Sequence, residues 1–432
     1  MRRLGNQTPE GGSTVFARPP DRRTVAPMTT SPFDQYHDRA QRRAAAQIVT
    51  VADARRLARR RVPRAVYDYI EGGAGSESTM RANQTSIEAV QFRPRLGVTK
   101  GVPAPVLATS VLGFEVAMPI LLSPIGFTRM MDPLGDVAGA RAAGKAGTIC
   151  TLSSMSGHTM DDVMAAATHP AWFQLYFLGG RPGAEQLVTR ARDAGFSALA
   201  VTLDTQLPGN REREQRVGLH PPLKLDRRTI KKMAPQVAVR PRWLLDTAHD
   251  RFQLSLVNAA ALGSPGEPMS SGDALLHWIA APPTWEDFKW IRDLWPGPIL
   301  AKGIVTGDDA RRAIDAGADA IIVSNHGGRQ LDSIPAGLPA LVEVVDAVGG
   351  QVEVLVDGGF RRGADVVKAL AVGARAVMVG RAWAYGLAAA GQPGVDRVLG
   401  ILRDDLDRTL RLLGCDSVAE LDRSHVRVPK DW

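Results

Sequence analysis

The sequence predicts an α/β protein: a (β/α)8 TIM barrel with a lid-like insertion after strand 4 and a disordered N-terminal leader. Three observations predict it. Eight short apolar runs rich in Val, Ile and Leu recur after residue 115, at 118–123, 148–153, 172–177, 198–203, 298–302, 320–324, 354–357 and 376–380. Most neighbours lie roughly 22 to 33 residues apart, the length of one strand, one helix and two loops. The runs are continuously apolar rather than alternating, as strands covered on both faces require. Eight such units in series close a barrel of about the usual size.

Residues 1–45 are rich in Arg, Pro, Gly and Thr and lack periodicity, so they read as a disordered basic leader. Residues 1–43 hold eight Arg and no Lys against four acidic residues, half of the net charge of +8. The remainder, 46–432, reads as one domain. It is only mildly basic, which weakens any case for a dedicated nucleic-acid surface. From Val49 the pattern turns helical, with Val51, Leu57 and Val62 set among arginines and Asp53 near the start.

About 95 residues separate the fourth run from the fifth, so an insertion of approximately 205–297 follows strand 4 on the C-terminal side of the barrel. Insertions at that face commonly cover active sites. This one carries a basic cluster (Arg227, Arg228, Lys231, Lys232, Arg240, Arg242) and apolar segments at 243–245 and 275–279. It closes on Thr284-Trp-Glu-Asp287, a capping box whose helix buries Phe288, Ile291 and Trp295. The two cysteines, Cys150 and Cys415, make neither a disulfide framework nor a metal-site spacing. No apolar run approaches the ~18 residues of a spanning helix. The amino terminus lacks the apolar stretch of a signal peptide, and the expected compartment is the cytosol, with the basic, apolar insertion offering peripheral contact with an anionic membrane.

In such a barrel, reactive groups gather at the C-terminal ends of the strands. Those ends carry Ser153, Gln174 and Tyr176, Thr202 and Asp204, Lys302, Ser324 with His326 and Arg329, Asp357 with Arg361, and Gly380 with Arg381. The loops after strands 7 and 8, Asp357-Gly-Gly-Phe-Arg-Arg-Gly363 and Gly380-Arg381, suit a phosphate: glycines admit close backbone approach and helix starts favour anions. Ser324-Asn-His-Gly-Gly-Arg-Gln-Leu-Asp332 sets an imidazole able to take a proton near neutral pH beside a guanidinium able to grip a carboxylate.

These residues resemble the FMN-dependent 2-hydroxy-acid oxidase and dehydrogenase family, which includes glycolate oxidase, lactate oxidase and flavin L-lactate dehydrogenases. The likeness covers roughly residues 48–430. It is carried by Tyr67-Asp-Tyr69, Gly72-Gly-Ala74, Phe173-Gln-Leu-Tyr176, the 324–332 stretch and Asp357-Gly-Gly-Phe-Arg361. The resemblance implies an FMN-containing barrel, a homotetramer, and oxidation of an L-2-hydroxy acid, by default L-lactate, to the 2-oxo acid. Electrons then pass to a quinone, another carrier or oxygen.

Position by position, the resemblance makes His326 the general base, held by Asp204. Tyr176 would meet the substrate hydroxyl, and Tyr69, Arg329 and Arg211 would clamp its carboxylate. Lys302 would stand beside the flavin N1/O2 edge. Pro124, Ile125 and Gly126 would lie against the flavin, with Ser153, Gln174, Thr202 and Ser324 holding its ring or ribityl groups. Asp357, Gly359, Arg361, Gly380 and Arg381 would hold the ribityl-phosphate end.

Two departures bear on substrate and acceptor. Met155 stands where several relatives carry an aromatic residue near the substrate side chain, and Gly126 where alanine is frequent. Rival readings are an oxygen-using oxidase, a lactate 2-monooxygenase, and a non-catalytic barrel that binds a phosphorylated ligand. A further branch of the family modifies a peptide-derived cofactor precursor. Tyr69 and Arg329 favour a free carboxylate over that branch.

Overall fold

The computed structural model describes residues 32–97, 104–217, 227–253, 255–262 and 283–432. Eight parallel strands close a barrel: β1 Ile120–Leu122, β2 Cys150–Ser153, β3 Ala171–Leu175, β4 Ala198–Thr202, β5 Ile299–Ile304, β6 Ala320–Val323, β7 Glu353–Val356 and β8 Ala376–Val379. Each falls on one of the eight apolar runs. β8 pairs back onto β1 through Val377 and Ile120, which completes the ring.

Alternate residues of a strand face opposite sides. One set fills the barrel: Leu121, Trp172, Ala200, Leu300, Ile322, Leu355 and Met378 are all fully buried there. A short hairpin, Thr109–Val111 with Phe114–Val116, adds Val111 and Val116 to this inner core and packs against it. The other set packs outward on the helices, in the larger core that includes Leu122, Phe173, Val201, Ala301, Val323 and Val377.

The helix at Val51–Arg61 starts as its sequence dictates, with a capping box between Thr50 and Asp53. Thr284 and Asp287 cap Trp285–Leu294 in the same way, and Phe288, Ile291 and Trp295 are buried beneath it. Residues 32–45, assigned to the leader, are helical within Pro32–Ala46. Alanines 40 and 44–46 favour helix, and Gln41 is tied down by a 2.9 Å hydrogen bond to Asp132. The apolar segment 275–279, the side chains of Arg227, Arg228 and Lys232, and residues 1–31 lie outside the described residues.

Within the insertion, the helix Pro241–His249 docks on the loop that follows β1. Trp243 Nε1 donates to the Met130 carbonyl at 2.8 Å, and Arg129 grips Asp250 through two nitrogens at 2.7 and 2.5 Å. Arg61 bridges Asp132 and Asp246, each at 3.1 Å. The insertion is thereby fixed to one side of the barrel mouth.

The C-terminal helical stretch Arg381–Leu413 is kinked at Ala390 and Gly391 and lies against the helix Gly363–Val372. Gly363 sits where a Cβ would come within 2.1 Å of the Leu406 nitrogen and 2.5 Å of the Leu402 oxygen. Gly363→Ala is therefore expected to destabilise the fold by about 1–3 kcal/mol through overpacking against backbone. Gly400→Ala, with nothing within 4 Å of the added carbon, should stabilise it by about 0.5–1 kcal/mol. Thermal unfolding of the two variants checks the opposite signs.

Candidate active site

The inward-facing set of each strand runs on by one more pleat, and that step builds the site. Two residues beyond Leu121, Trp172, Ala200, Leu300, Ile322, Leu355 and Met378 come Ser123, Gln174, Thr202, Lys302, Ser324, Asp357 and Gly380. The polar ends of the runs therefore form a ring at the open mouth. Ser153 donates to Gln174 Oε1 at 2.8 Å, and Gln174 donates to Thr202 Oγ1 at 2.7 Å. Lys302 donates to Ser324 at 2.9 Å and pairs with Asp357 at 3.2 Å; Ser324 in turn donates to Asp357 at 2.7 Å.

A β-bulge at Gly303 breaks the β5–β6 register between Lys302 and Ile304. Gly303 has φ +102°, and a Cβ there would lie 2.6 Å from Asp204 Cβ. The glycine lets β5 turn Lys302 inward while Asp204 closes up behind it.

Asp204, just past β4, reaches the imidazole of His326, just past β6. Both carboxylate oxygens lie 3.2 Å from Nδ1. The Tyr176 hydroxyl lies 3.1 Å from Nε2. With Nδ1–H donating to Asp204, Nε2 keeps its lone pair toward the cavity and accepts from Tyr176. His326 has φ +56°, followed by Gly327 at +65° and Gly328 at +74°, a left-handed run in which only His326 carries a Cβ. The Ser324 hydroxyl accepts from the His326 N–H at 3.0 Å, and Asn325 Oδ1 accepts from the Gly328 N–H at 3.1 Å. These bonds hold the strained turn.

Burial lowers the His326 pKa, although the Asp204 carboxylate opposes the shift. The ring is thus neutral at pH 7. Burial pushes Asp204 up, but His326 and Lys302 outweigh it and keep the carboxylate ionised. Burial, aided by Asp204, moves Tyr176 far above the ordinary phenol value, so its hydroxyl remains a donor.

Four guanidiniums line the same cavity, those of Arg211, Arg329, Arg361 and Arg381. Arg329 lies over the Tyr69 ring at 4.7 Å and donates from Nη1 to the carbonyls of Tyr69 and Gly72 at 2.7 and 3.0 Å. Arg211, from the insertion, donates from Nε to the Arg329 carbonyl at 3.2 Å. Tyr69 donates its hydroxyl to the Gly126 carbonyl at 3.0 Å. Phe127, Met130, Met131 and Met155 make an apolar wall of the cavity. Gly126 lies under that wall: a Cβ there would sit 2.9 Å from Met155 Cβ, so the methionine's approach imposes the glycine.

At the other side, Gly358 and Gly359 have φ +99° and +94°, and a Cβ on Gly359 would fall 2.3 Å from the Asn83 carbonyl. Arg361 stands over the Tyr385 ring at 5.7 Å. Arg381 donates to the carbonyls of Ile70, Gly327 and Gly72 at 2.9, 2.7 and 2.7 Å, which uses three of its five N–H groups. Burial lowers its pKa to about 10, still cationic at pH 7. Pro124, Ile125, Gly126 and Gly380 complete the cradle. Among the described residues, Ser123 Oγ lines this space, buried without a hydrogen-bond partner. An open donor ring at the mouth, two cations and a glycine cradle fit a flavin ring at one end and its phosphate at the other.

Most of the expected site residues line this one cavity: Tyr69, the 124–126 turn, Met155, Gln174, Tyr176, Thr202, Arg211, Lys302, His326, Arg329, Asp357, Gly359, Arg361, Gly380 and Arg381. Ser153, Asp204 and Ser324 stand behind it and orient Gln174, His326 and Lys302. The sequence reading missed Ser123, Phe127, Met130, Met131 and Glu214. The first four lie at or just past the end of β1, a position that by itself marks residues of the mouth.

The geometry fixes a pH dependence. With His326 as the expected base, its ring must be neutral to act, so flavin reduction should fall only below the usual histidine range near 6.5. Asp204→Asn removes the charge that favours the imidazolium. Its acid limb should move to still lower pH while the limiting rate drops. Stopped-flow reduction measured from pH 5 to 8 checks both.

The model of a family described as FMN-dependent dehydrogenase matches residues 58–428. The chain is 43% identical over 391 residues to a pre-mycofactocin synthase of Mycobacterium tuberculosis, covering 89% of this chain and 96% of that protein. It is 40% identical over 390 residues to an L-lactate dehydrogenase of Caulobacter vibrioides, covering 89% and 99%. Among solved structures, that of the monotopic membrane protein (S)-mandelate dehydrogenase superposes with a TM-score of 0.81 at 38% identity, over 88% of this chain and 100% of the other. On this match and these relatives the chain belongs to the FMN-dependent 2-hydroxy-acid oxidoreductase family, and its cofactor is FMN.

Proposed function

We propose that the protein oxidises an L-2-hydroxy acid with an apolar side chain to the 2-oxo acid, L-lactate being the smallest candidate. One observation supports this above the rest: the proton-accepting Nε2 of His326 shares a cavity with Arg211 and Arg329. Base and carboxylate clamp therefore address the same small molecule. FMN, when bound, supplies the two-electron acceptor. Arg211 and Arg329 fix the carboxylate through charge-assisted hydrogen bonds, and Tyr69 joins them by turning its hydroxyl from the Gly126 carbonyl. Tyr176 and His326 then face the hydroxyl-bearing carbon, and His326 takes a proton at Nε2. Asp204 stabilises the resulting imidazolium at Nδ1. Lys302 would help hold the flavin and would supply a cation to offset negative charge on it. Phe127, Met130, Met131 and Met155 receive the side chain, and unbranched thioethers adapt to groups of different bulk.

The acceptor beyond FMN is, in this reading, a quinone or another carrier rather than oxygen, and the assembly a cytoplasmic homotetramer in peripheral contact with the membrane. Exposed Leu207, Val239, Leu245 and Phe252, all in or beside the insertion, support the contact. Among the described residues no helix is long and apolar enough to cross a membrane. A second reading draws on the relatives named pre-mycofactocin synthase: the same base would act on a larger precursor, with the methionine wall accommodating it.

Anaerobic mixing with a panel of L- and D-2-hydroxy acids is expected to bleach the flavin with L-acids alone. Reoxidation in air should be slow for a dehydrogenase and fast for an oxidase. A panel that leaves the flavin oxidised, while a larger mycofactocin precursor bleaches it, would favour the second reading. His326→Gln should keep FMN but slow its reduction by roughly 10²–10⁴-fold. Arg329→Met should chiefly raise the substrate concentration needed for half-maximal reduction.

A further inference from the structure

One buried carboxylate in the cavity wall has no place in the chemistry above. Glu214, on the segment Glu212–Val217, lines the cavity and is 4% exposed. Arg329 spends Nη1 on the carbonyls of Tyr69 and Gly72. Its Nη2 pairs with Glu214 Oε1 at 2.8 Å, and both atoms are buried. Arg211 spends Nε on the Arg329 carbonyl and Nη2 on Gln330 Oε1 at 3.1 Å. Its Nη1 is 3.8 Å from Glu214. One nitrogen of each guanidinium, Arg329 Nη2 and Arg211 Nη1, thus faces the same internal carboxylate.

We propose that Glu214 is a specificity-determining residue: a resident counter-ion that faces the clamp when no substrate is bound and leaves the two arginines with one net positive charge. The inference rests on the reading of the substrate as a carboxylate-bearing hydroxy acid and deepens it. Two buried guanidiniums without a partner repel each other and lack compensation for their lost hydration. Glu214 supplies that partner in the empty site. An arriving carboxylate takes the unspent donors in competition with it, so one charge is matched rather than two. The same competition loosens the hold on the 2-oxo acid and lets it leave. A neutral amide has no such competition to win or lose.

A residue that merely held the arginines in place would give the opposite sign on removal, since a misplaced clamp binds more weakly. The test uses the FMN-loaded enzyme and its Glu214→Gln and Glu214→Asp variants. Equilibrium binding of pyruvate and of lactamide is followed by flavin absorbance, alongside anaerobic reduction by L-lactate. Glu214→Gln should bind pyruvate about tenfold more tightly or better, as loss of a unit charge a few ångströms away at an effective dielectric near 20 implies. The KM for L-lactate should fall in parallel, with the limiting reduction rate little changed and lactamide binding unaltered. Glu214→Asp should lie between. Should the Gln variant fail to hold flavin, the Asp variant carries the test with the same sign and smaller size.

Pyruvate binding that is equal or weaker in a variant with a normal flavin spectrum overturns the proposal, as does equal tightening of lactamide. If the wild type is reduced by no hydroxy acid, the functional reading fails instead. Acetate binding then still decides the role of Glu214, which must bind more tightly in the Gln variant for the counter-ion to stand.

Discussion

The structure depends on the two-residue alternation of a closed parallel barrel. Once Leu121, Trp172, Ala200, Leu300, Ile322, Leu355 and Met378 are committed to the interior, the next inward position on each strand has no freedom. It must face the mouth, where apolar packing ends. Polar residues there are within reach of one another across a narrow ring, and the Ser153–Gln174–Thr202 and Lys302–Ser324–Asp357 hydrogen bonds follow from it. The hydrophobic effect that closes the barrel also gathers the chemistry.

That alternation explains what could be read from the sequence. The strands were legible because they are buried on both faces and so write continuous apolar runs. The site followed, since the residue that ends each run is forced to the mouth. His326 and Arg329 were legible for a further reason: adjacent glycines announced a turn able to present both. Less was visible where neither period nor glycine speaks. The helix Pro32–Ala46 has few apolar residues, and its order over 39–46 comes from tertiary partners such as Asp132. Met130 and Met131 look like ordinary core until the loop that carries them is seen to bend over the cavity. Glu214 sits in Arg-Glu-Arg-Glu, a string that reads as a solvated face. Only the fold shows that this one carboxylate turns inward to meet two guanidiniums.

Charge in this site is balanced locally. Lys302 answers Asp357, Asp204 is held by the Nδ1–H of the neutral His326 and by the charge of Lys302, and beside the cavity Arg213 answers Glu77 at 2.6 Å. Each pair is wholly or partly withdrawn from water, where an uncompensated ion would be costly. Arg361 and Arg381 are treated differently. Arg381 is surrounded by backbone carbonyls rather than a carboxylate, and Arg361 lies over an aromatic ring. Neither contact neutralises a guanidinium, an arrangement that would suit a phosphate ester.

The docking of the helix Pro241–His249 has a consequence for how such a protein diversifies. Trp243 and Asp250 support the very loop that bears Met130. The loop bearing Arg329 has two supports: Asp332 against the start of the helix Ser78–Ala89, and Gly209 and Arg211 of the insertion, which hold Gln330 and the Arg329 carbonyl. The inserted segment thus underpins the methionine wall and the guanidiniums together. A reshaped insertion would be felt on both sides of the cavity at once, so one cannot be retuned wholesale without disturbing the other.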